Sequence, residues 1–362
     1  MFRANTVLVL GAGASVEVGL PVGADLLHKI TELTHITYEH FRMKSGDHKI
    51  SEAIKILVNE GREVDKYNQH LEAAWQLGRS AKQALSIDNV IDALEDQKVE
   101  LVGKLGIIRA ILSAEGSSPA FRKTDRFPNE INLENFSNTW YSYFSKILTE
   151  NLKKSEIDNI FNNLSIINFN YDRCLEYYLP HSIGNYYGLN PDNVHHLVNG
   201  LKIYRPYGVT GKLPWQAGDT PTVPFGSGSS EQISSLASHI KTFTERLDEE
   251  KTLNDIRECI SSADRIIFLG FAFHRQNVAL ISSYVKRNVE ILATSFGISK
   301  SDKNVIENEL SRSFCYEDGE ELDSNHIDLA DVTCRDLFRD YWRTLTAEAG
   351  DEYVDPVSYL RG

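Results

Sequence analysis

Cysteine is scarce in this sequence, and its spacing is informative. The 362 residues include only four cysteines, Cys174, Cys259, Cys315 and Cys334, and none lies within four residues of another. Because no CxxC pair is present, a structural zinc ribbon is disfavoured. A disulfide framework is not expected at this length and density. We therefore expect four reduced thiols in a cytoplasmic protein that binds no metal.

Basic residues and long apolar runs are also few. Lys and Arg total 38 against 51 Asp and Glu, which gives a formal net charge of -13. Nucleic acids are bound through a basic face, so this balance disfavours a direct nucleic-acid partner. No stretch approaches the roughly 18 apolar residues of a membrane-spanning helix, so no membrane partner is expected. The length predicts roughly two structural units, at about 100–200 residues per domain.

Short apolar runs followed by turn residues give the fold signal. Such runs predict buried strands at 7–10, 165–169, 201–204, 265–269 and 289–293, and most are followed by helical spacing. Strands that alternate with helices predict an α/β protein with a doubly wound, parallel, Rossmann-like sheet. In such sheets ligands bind beyond the carboxyl ends of the strands, where the Gly, Asn and Asp residues of this chain fall.

The predicted core is interrupted by a large helical insertion. Residues 35–159 are rich in Glu, Lys, Leu, Ile and Ala at helical spacing, and they predict several helices. The core then comprises 1–34 plus 160–346, and 347–362 form a C-terminal tail. Within the core, the stretch from 233 to 262 predicts one long helix.

A glycine turn, GAGAS at 11–15, joins the first strand to the first helix. Glycine lets a backbone approach an anion closely, and a helix N-terminus presents free N–H groups to it, so the turn favours pyrophosphate binding. The dehydrogenase fingerprint would need a third glycine where Val16 stands, and no Gly-Lys-Ser/Thr follows for a P-loop. The alternative is a connection that needs glycine for geometry alone.

Four segments together resemble the sirtuin-like NAD-consuming superfamily, especially its bacterial antiviral-defence branch. GAGAS at 11–15 with GLP at 19–21 resembles the sirtuin cofactor loop, and FNYD at 169–172 resembles the QNxD motif. Tyr207-Gly208 stands where that family has His-Gly, and GFAF at 270–273 resembles its late glycine turn. The resemblance implies cofactor contacts at Gly11, Ala12, Gly13, Ser15, Pro21, Gly208, Gly270 and Phe271. It also implies catalytic roles for Asn170, Asp172 and Tyr207.

Two departures from the family's pattern argue against lysine deacylation. The four-cysteine zinc module of sirtuin deacetylases is missing, and Tyr207 replaces the family's catalytic histidine. A tyrosine with a pKa near 10 is a poor base at neutral pH. Hydrolysis of NAD is less demanding, because the cationic leaving group departs as neutral nicotinamide and needs no general acid.

The polar residues have both chemical and structural interpretations. Asn170 would orient the attacking water and the ribose hydroxyls, and Asp172 would stabilise developing positive charge. The alternative for both is an Asx turn that caps the helix beginning at Arg173. Tyr207 would stack on the ribose or donate a hydrogen bond to it. Three histidines are candidate bases that the sequence does not place: His195, His196 and His274.

The resemblance therefore implies an NAD glycohydrolase with NAD as substrate, acting as an effector of antiviral defence by depleting NAD. Its regulation would come from self-association into a homo-oligomer or from a partner, for which the resemblance implies a HerA-like ATPase or a short Argonaute-type protein. One alternative is a non-catalytic module that binds NAD or ADP-ribose. Another is a base-specific nucleotide hydrolase that uses the same pocket.

Overall fold

The computed structural model describes residues 1–58, 64–122, 131–242 and 250–348. The predicted C-terminal tail lies almost entirely outside the described residues.

The described residues form ten strands and fourteen α-helices. The strands are β1 (Thr6–Leu10), β2 (Thr37–Glu39), β3 (Arg42–Ser45), β4 (Leu164–Asn168), β5 (Lys202–Tyr204), β6 (Arg265–Leu269), β7 (Ser283–Tyr284), β8 (Glu290–Thr294), β9 (Phe314–Cys315) and β10 (Ile327–Ala330). The helices are α1 (Gly23–Thr34), α2 (His48–Val58), α3 (Val64–Ser80), α4 (Ile87–Leu94), α5 (Gln97–Ser117), α6 (Trp140–Thr149), α7 (Cys174–Tyr187), α8 (His195–Gly200), α9 (Ser230–Leu236), α10 (Glu250–Ser261), α11 (Arg275–Ile281), α12 (Lys300–Ser313), α13 (Cys334–Asp340) and α14 (Trp342–Thr346).

Six strands form one parallel sheet in the order β10-β8-β6-β1-β4-β5. Counted along the chain, these strands follow the order 3-2-1-4-5-6 that is typical of a Rossmann-like sheet. The predicted α/β class and the parallel sheet are confirmed. The direction of winding changes between β1 and β6, so the crevice for a ligand is expected at the carboxyl ends of these two strands.

The central strand is buried on both faces because its side chains alternate between two cores. Val7 and Val9 pack with α10, α11 and α12, whereas Leu8 and Leu10 pack with α6, α7 and α13. All four side chains are at most 2% exposed. At about 25 cal/mol per Å² of apolar area, such burial supplies most of the drive to assemble the sheet.

Helices α1 to α5 and α9 share a third apolar cluster beside the sheet. Helix α5 approaches α1 closely at Gly106, where a Cβ atom would lie 2.6 Å from the Cγ2 atom of Ile30. Helix α6 instead packs on the sheet layer, where Trp140 and Phe144 are fully buried against Phe338 of α13. The insertion segment thus contributes both to a separate helical cluster and to the layer that covers the sheet.

Two details differ from the predicted elements. The insertion contains several helices, and it also contains an antiparallel hairpin of β2 and β3 that the sequence did not predict. The single helix predicted for 233–262 was wrong, since α9 ends at Leu236 and α10 begins at Glu250. Between them Lys241 binds the loops at the sheet edge: its N–H donates to the carbonyl of Tyr207, and its carbonyl accepts from the Tyr171 hydroxyl.

None of the described helices combines the length and the apolar character needed to cross a membrane.

Candidate functional site

A cavity of about 680 Å³ opens at the carboxyl ends of β1, β4 and β6, where the winding of the sheet changes direction. Its volume lies in the range of small-molecule and cofactor sites. Of the eleven residues assigned from the sequence, all but Gly208 line this cavity. They are Gly11, Ala12, Gly13, Ser15, Pro21, Asn170, Asp172, Tyr207, Gly270 and Phe271. The fold therefore gathers residues that are up to 260 positions apart in the sequence.

Gly208 has a structural role at the neighbouring turn. Its φ of +81° lies in the left-handed region, and a Cβ atom there would approach the carbonyl oxygen of His239 to 2.1 Å. The residue lets the chain after β5 pass close to the segment that follows α9. It contacts that backbone and lies outside the cavity lining.

The glycines of the first and late turns pack against each other. The Gly11 N–H donates to the Leu269 carbonyl, and the Gly13 N–H donates to the Gly270 carbonyl at 2.9 Å. A Cβ atom at Gly270 would lie 2.1 Å from the nitrogen of Ala14. These glycines are thus required by the contact between two loops. Ala12, at the start of a 3₁₀ helix, is exposed and lines the cavity between them.

The side-chain amide of Asn170 is held in one orientation. Its Nδ2 donates to the Gly11 carbonyl at 2.9 Å and lies 3.2 Å from the Ser15 Oγ atom. Because a carbonyl can only accept, the first bond fixes which atom is the nitrogen. Asn170 is 8% exposed and lines the cavity, and no described residue donates to its Oδ1 atom. This oxygen can accept a hydrogen bond from a ligand hydroxyl or a water molecule.

Asp172 is engaged by the protein through both carboxylate oxygens. Ser15 donates to Oδ2 at 2.8 Å, and the backbone N–H of Cys174 donates to Oδ1 at 3.0 Å. The second bond is the Asx turn at the start of α7 that the sequence offered as an alternative. The capping role of Asp172 is therefore present, while its carboxylate also lies at the cavity wall.

Tyr207 is a buried hydrogen-bond donor. Its hydroxyl donates to Oδ1 of Asn277 at 2.5 Å, and its ring packs edge-on against Phe169 with centroids 5.6 Å apart. Burial raises the pKa of this phenol above its ordinary value near 10, and the negative charge of Asp88 raises it further. Tyr207 consequently stays neutral at pH 7 and is a poorer base than an exposed tyrosine.

The three candidate histidines lie in different places. His274 is exposed at the start of α11 and lines the cavity. His195 stacks on Trp215 at 4.5 Å in a separate cavity, and burial lowers its pKa. His196 faces Asp158 at 3.8 Å near the opposite end of the sheet. Only His274, among these three, is brought to the site.

Two carboxylates at the cavity were not found from the sequence. Glu17 accepts from the backbone N–H groups of Trp140 and Arg335, so each oxygen holds the start of a helix. Asp88 is half-buried in the first turn of α4 and enters the site from the insertion. Glu17 lies two residues after the glycine turn, so that motif could have indicated it as a cavity residue. No local motif marks Asp88, because its place depends on how α4 packs.

A buried ion pair holds the insertion beside the site. Glu115 of α5 and Arg173 both have side chains that are 0% exposed, and the carboxylate also accepts from the Gly226 N–H. The guanidinium donates further to the Val223 carbonyl at 2.6 Å and lies under the ring of Phe225. Since Arg173 follows Asp172 directly, this pair fixes the insertion to the loop that carries the site residues.

The cavity combines a polar end and an apolar wall. Apolar side chains of the insertion, α1 and the first loop include Ile111, Ile87, Leu26 and Leu20. No group of three or more His, Cys, Asp or Glu suited to a metal was found within the described ranges. The arrangement suits an organic ligand that presents hydroxyl groups to Asn170.

No protein-family model matches the chain, and no curated protein matches it either.

Proposed function

We propose that the protein is an NAD glycohydrolase, which cleaves NAD to nicotinamide and ADP-ribose. The observation that carries the proposal is the amide of Asn170 at the cavity wall, whose nitrogen is held by the protein and whose oxygen accepts no hydrogen bond from a described residue. An acceptor held in this way suits the ribose hydroxyls or the attacking water. The cavity beside it has a volume suited to a cofactor-sized ligand, and it lies at the position where Rossmann-like sheets bind dinucleotides.

NAD hydrolysis requires the site to orient the ribose and the attacking water and to stabilise positive charge on the ribose. The bond between nicotinamide and ribose breaks through an oxocarbenium-like state, and its electron pair neutralises the pyridinium nitrogen. A carboxylate environment favours the developing ribosyl cation, and Asp172 and Asp88 both line the cavity. The neutral Tyr207 then shapes the pocket rather than moving the essential proton.

Product analysis tests the proposal. The purified protein is incubated with NAD, alone and with its proposed partner protein, and the products are separated by chromatography. Equimolar nicotinamide and ADP-ribose support the proposal. NAD that remains intact in both reactions contradicts it.

The biological setting follows from the sequence resemblance. We propose an effector of antiviral defence that depletes cellular NAD, works as a homo-oligomer in the cytoplasm and is controlled by a HerA-like ATPase. Solution mass and copurification with the ATPase test this part independently of the chemistry. A monomer that neither binds the ATPase nor lowers cellular NAD would contradict it.

A second candidate is a non-catalytic module that binds NAD or ADP-ribose. The observation that favours it is the engagement of Asp172 and Tyr207, whose polar atoms are already bonded to protein groups. The same incubation separates the two candidates, because the module would bind NAD and release no nicotinamide.

A further inference from the structure

Asn170, on which the proposed function rests, is held through its backbone as well as through its side chain. Its N–H donates to Oδ1 of Asn168 at 3.0 Å, and its carbonyl accepts from Nη1 of Arg205 at 2.7 Å. A residue has only two soft backbone torsions, so fixing the peptides on both sides of it also fixes the direction of its Cα–Cβ bond. The bond from Arg205 therefore helps to set where the Asn170 amide points.

Arg205 follows β5 directly and lies outside the cavity lining. Its guanidinium bridges two elements, because Nη1 donates to the Asn170 carbonyl and Nη2 donates to Oε1 of Glu176 on α7. The side chains of Arg205 and Glu176 are only 11% and 4% exposed. Oε2 of Glu176 is buried without a hydrogen-bond partner among the described residues, so Arg205 is the one described donor to this carboxylate. The planar fork of the guanidinium is thus held from both sides.

A second contact joins the same two loops. Thr210 donates to the Tyr171 carbonyl through its backbone N–H at 3.0 Å and through its hydroxyl at 3.1 Å. Two successive carbonyls of the loop after β4 are therefore held by the loop after β5. Tyr207 lies in this stretch of the β5 loop, so the contacts also fix its position relative to Asn170.

From these contacts we propose that Arg205 is a positioning residue for the cleavage of NAD. The inference rests on the proposed function and extends it to a side chain outside the cavity. Arg205 holds the Asn170 peptide so that the amide oxygen can meet a ribose hydroxyl or the attacking water. Displacing a reacting group by about 1 Å can cost about 10²-fold in rate. Loss of the guanidinium should therefore lower kcat and leave KM nearly unchanged, since the other cavity residues still bind the substrate.

The test compares Arg205→Ala with Arg265→Ala. Arg265 is also a buried arginine, 1% exposed and paired with Glu290 at 2.7 Å, but it begins β6 at the opposite end of the same sheet. Both variants remove a buried guanidinium, so a general loss of stability should lower the Tm of both. The kcat of Arg205→Ala should fall by about 100-fold. Arg265→Ala, assayed below its Tm, should keep the kcat of the wild type.

Free guanidinium provides a measurement that a purely structural role would not change. In Arg205→Ala the deleted side chain leaves space beside the Asn170 carbonyl and the Glu176 carboxylate. Guanidinium at millimolar, non-denaturing concentration should restore part of the kcat of this variant without raising its Tm. The wild type and Arg265→Ala should gain no activity from it.

Arg205→Lys is the milder variant. Its ammonium keeps the charge that pairs with Glu176, but it lacks the planar fork that reaches the Asn170 carbonyl at the same time. Loss of one charge-assisted hydrogen bond should lower kcat by about tenfold or more, with a Tm close to that of the wild type.

The outcomes separate this inference from the proposed function. If the wild type cleaves NAD and Arg205→Ala has the same kcat as Arg265→Ala, the role of Arg205 is refuted and the hydrolase stands. A rate loss that guanidinium does not restore and that follows the fall in Tm refutes it in favour of a structural role. If Arg205→Ala does not fold, a wild-type kcat in Arg205→Lys refutes the proposal. A wild type that cleaves no NAD even with its partner refutes both proposals.

Discussion

The two walls of the cavity are built in different ways. The core wall consists of loops after β1, β4 and β6, in which Gly11, Gly13, Gly270 and Asn170 are locked by backbone contacts and hydrogen bonds. The insertion wall consists of residues of α4, its N-cap and α5: Ile87 and Ile111 are apolar, and Ser86 and Asp88 are polar. The core wall fixes where polar atoms lie, whereas the insertion wall sets the shape of the pocket and its access to water.

This difference assigns separate tasks to the two parts of the chain. A locked loop can orient a reacting group, but it leaves the open side of the pocket exposed to bulk water. A packed helical wall can exclude that water and strengthen the electrostatic interactions inside. The comparison predicts that changes to the attachment of the insertion affect stability, while changes to the core wall affect the rate.

The largest effect is expected from Glu115→Ala, which breaks the attachment of the insertion. The variant leaves the Arg173 guanidinium buried without its carboxylate, and breaking a buried pair costs about 3–5 kcal/mol. Denaturant titration should show this loss in the free energy of unfolding. Glu52→Ala, which removes the exposed pair with Lys55, is the control and should cost at most about 1 kcal/mol. Equal losses in the two variants would mean that the buried pair does not hold the insertion.

Asn170→Ala tests the core wall. Removing one preorganised polar group from a reacting site costs about 10²–10³-fold in rate, so NAD cleavage should fall by at least about 100-fold. The fold should survive, because the residue lies in the loop after β4 and lines the cavity. Asn304→Ala, an exposed position on α12, provides the matched control. Wild-type rates in an Asn170→Ala variant with a normal Tm would remove Asn170 from the site.

Tyr207→Phe should have a smaller effect, because the ring remains in place. The lost hydrogen bond to Asn277 is worth roughly 0.5–1.5 kcal/mol, which corresponds to a rate loss of about tenfold or less. Burial raises the pKa of the Tyr207 phenol, so its hydroxyl stays protonated at every pH below about 10, the ordinary pKa of a tyrosine. The shape of the pH–rate profile between about pH 6 and pH 9 should therefore match that of the wild type. A loss of several decades, or a vanished limb of the profile, would make the phenol an acid or base.

The smallest effect is expected from a metal chelator. The cysteine spacing predicts no zinc module, and a buried ion pair and an apolar cluster hold the insertion instead. Dialysis against EDTA should leave both the Tm and the rate of NAD cleavage unchanged. Stoichiometric zinc in elemental analysis, or a Tm that falls on chelation, would contradict this prediction and show that a metal helps to hold the structure together.

The strands behind the core wall could be predicted because each of them corresponds to a short apolar run in the sequence. Apolar runs such as 7–10 and 265–269 coincide almost residue for residue with β1 and β6. The residues after them must then meet at one edge, because the carboxyl ends of parallel strands lie together. Ten of the residues that the resemblance assigned do line a single cavity at this edge.

The insertion wall was missed because helix packing leaves a weaker trace. Helical spacing predicts that α4 has a buried side, but it does not predict which element covers that side. It therefore could not predict that Asp88 lines the cavity. The β2–β3 hairpin was missed for a related reason. Its strands are only three and four residues long, so any alternation along them is too short to be distinguished from helical spacing. Gly208 was misleading because a glycine needed for backbone contact looks the same in sequence as one that contacts a ligand.

The central position of β1 has a consequence for biosynthesis. Its hydrogen-bonding partners are β4 and β6, the nearer of which begins at Leu164. At about 5–20 residues per second, a ribosome needs roughly 8–30 s to make the chain between β1 and β4. During this interval an apolar segment stays unpaired while the helices of the insertion can already form from local contacts. Nascent chains halted before β4 should therefore be the forms most in need of chaperones.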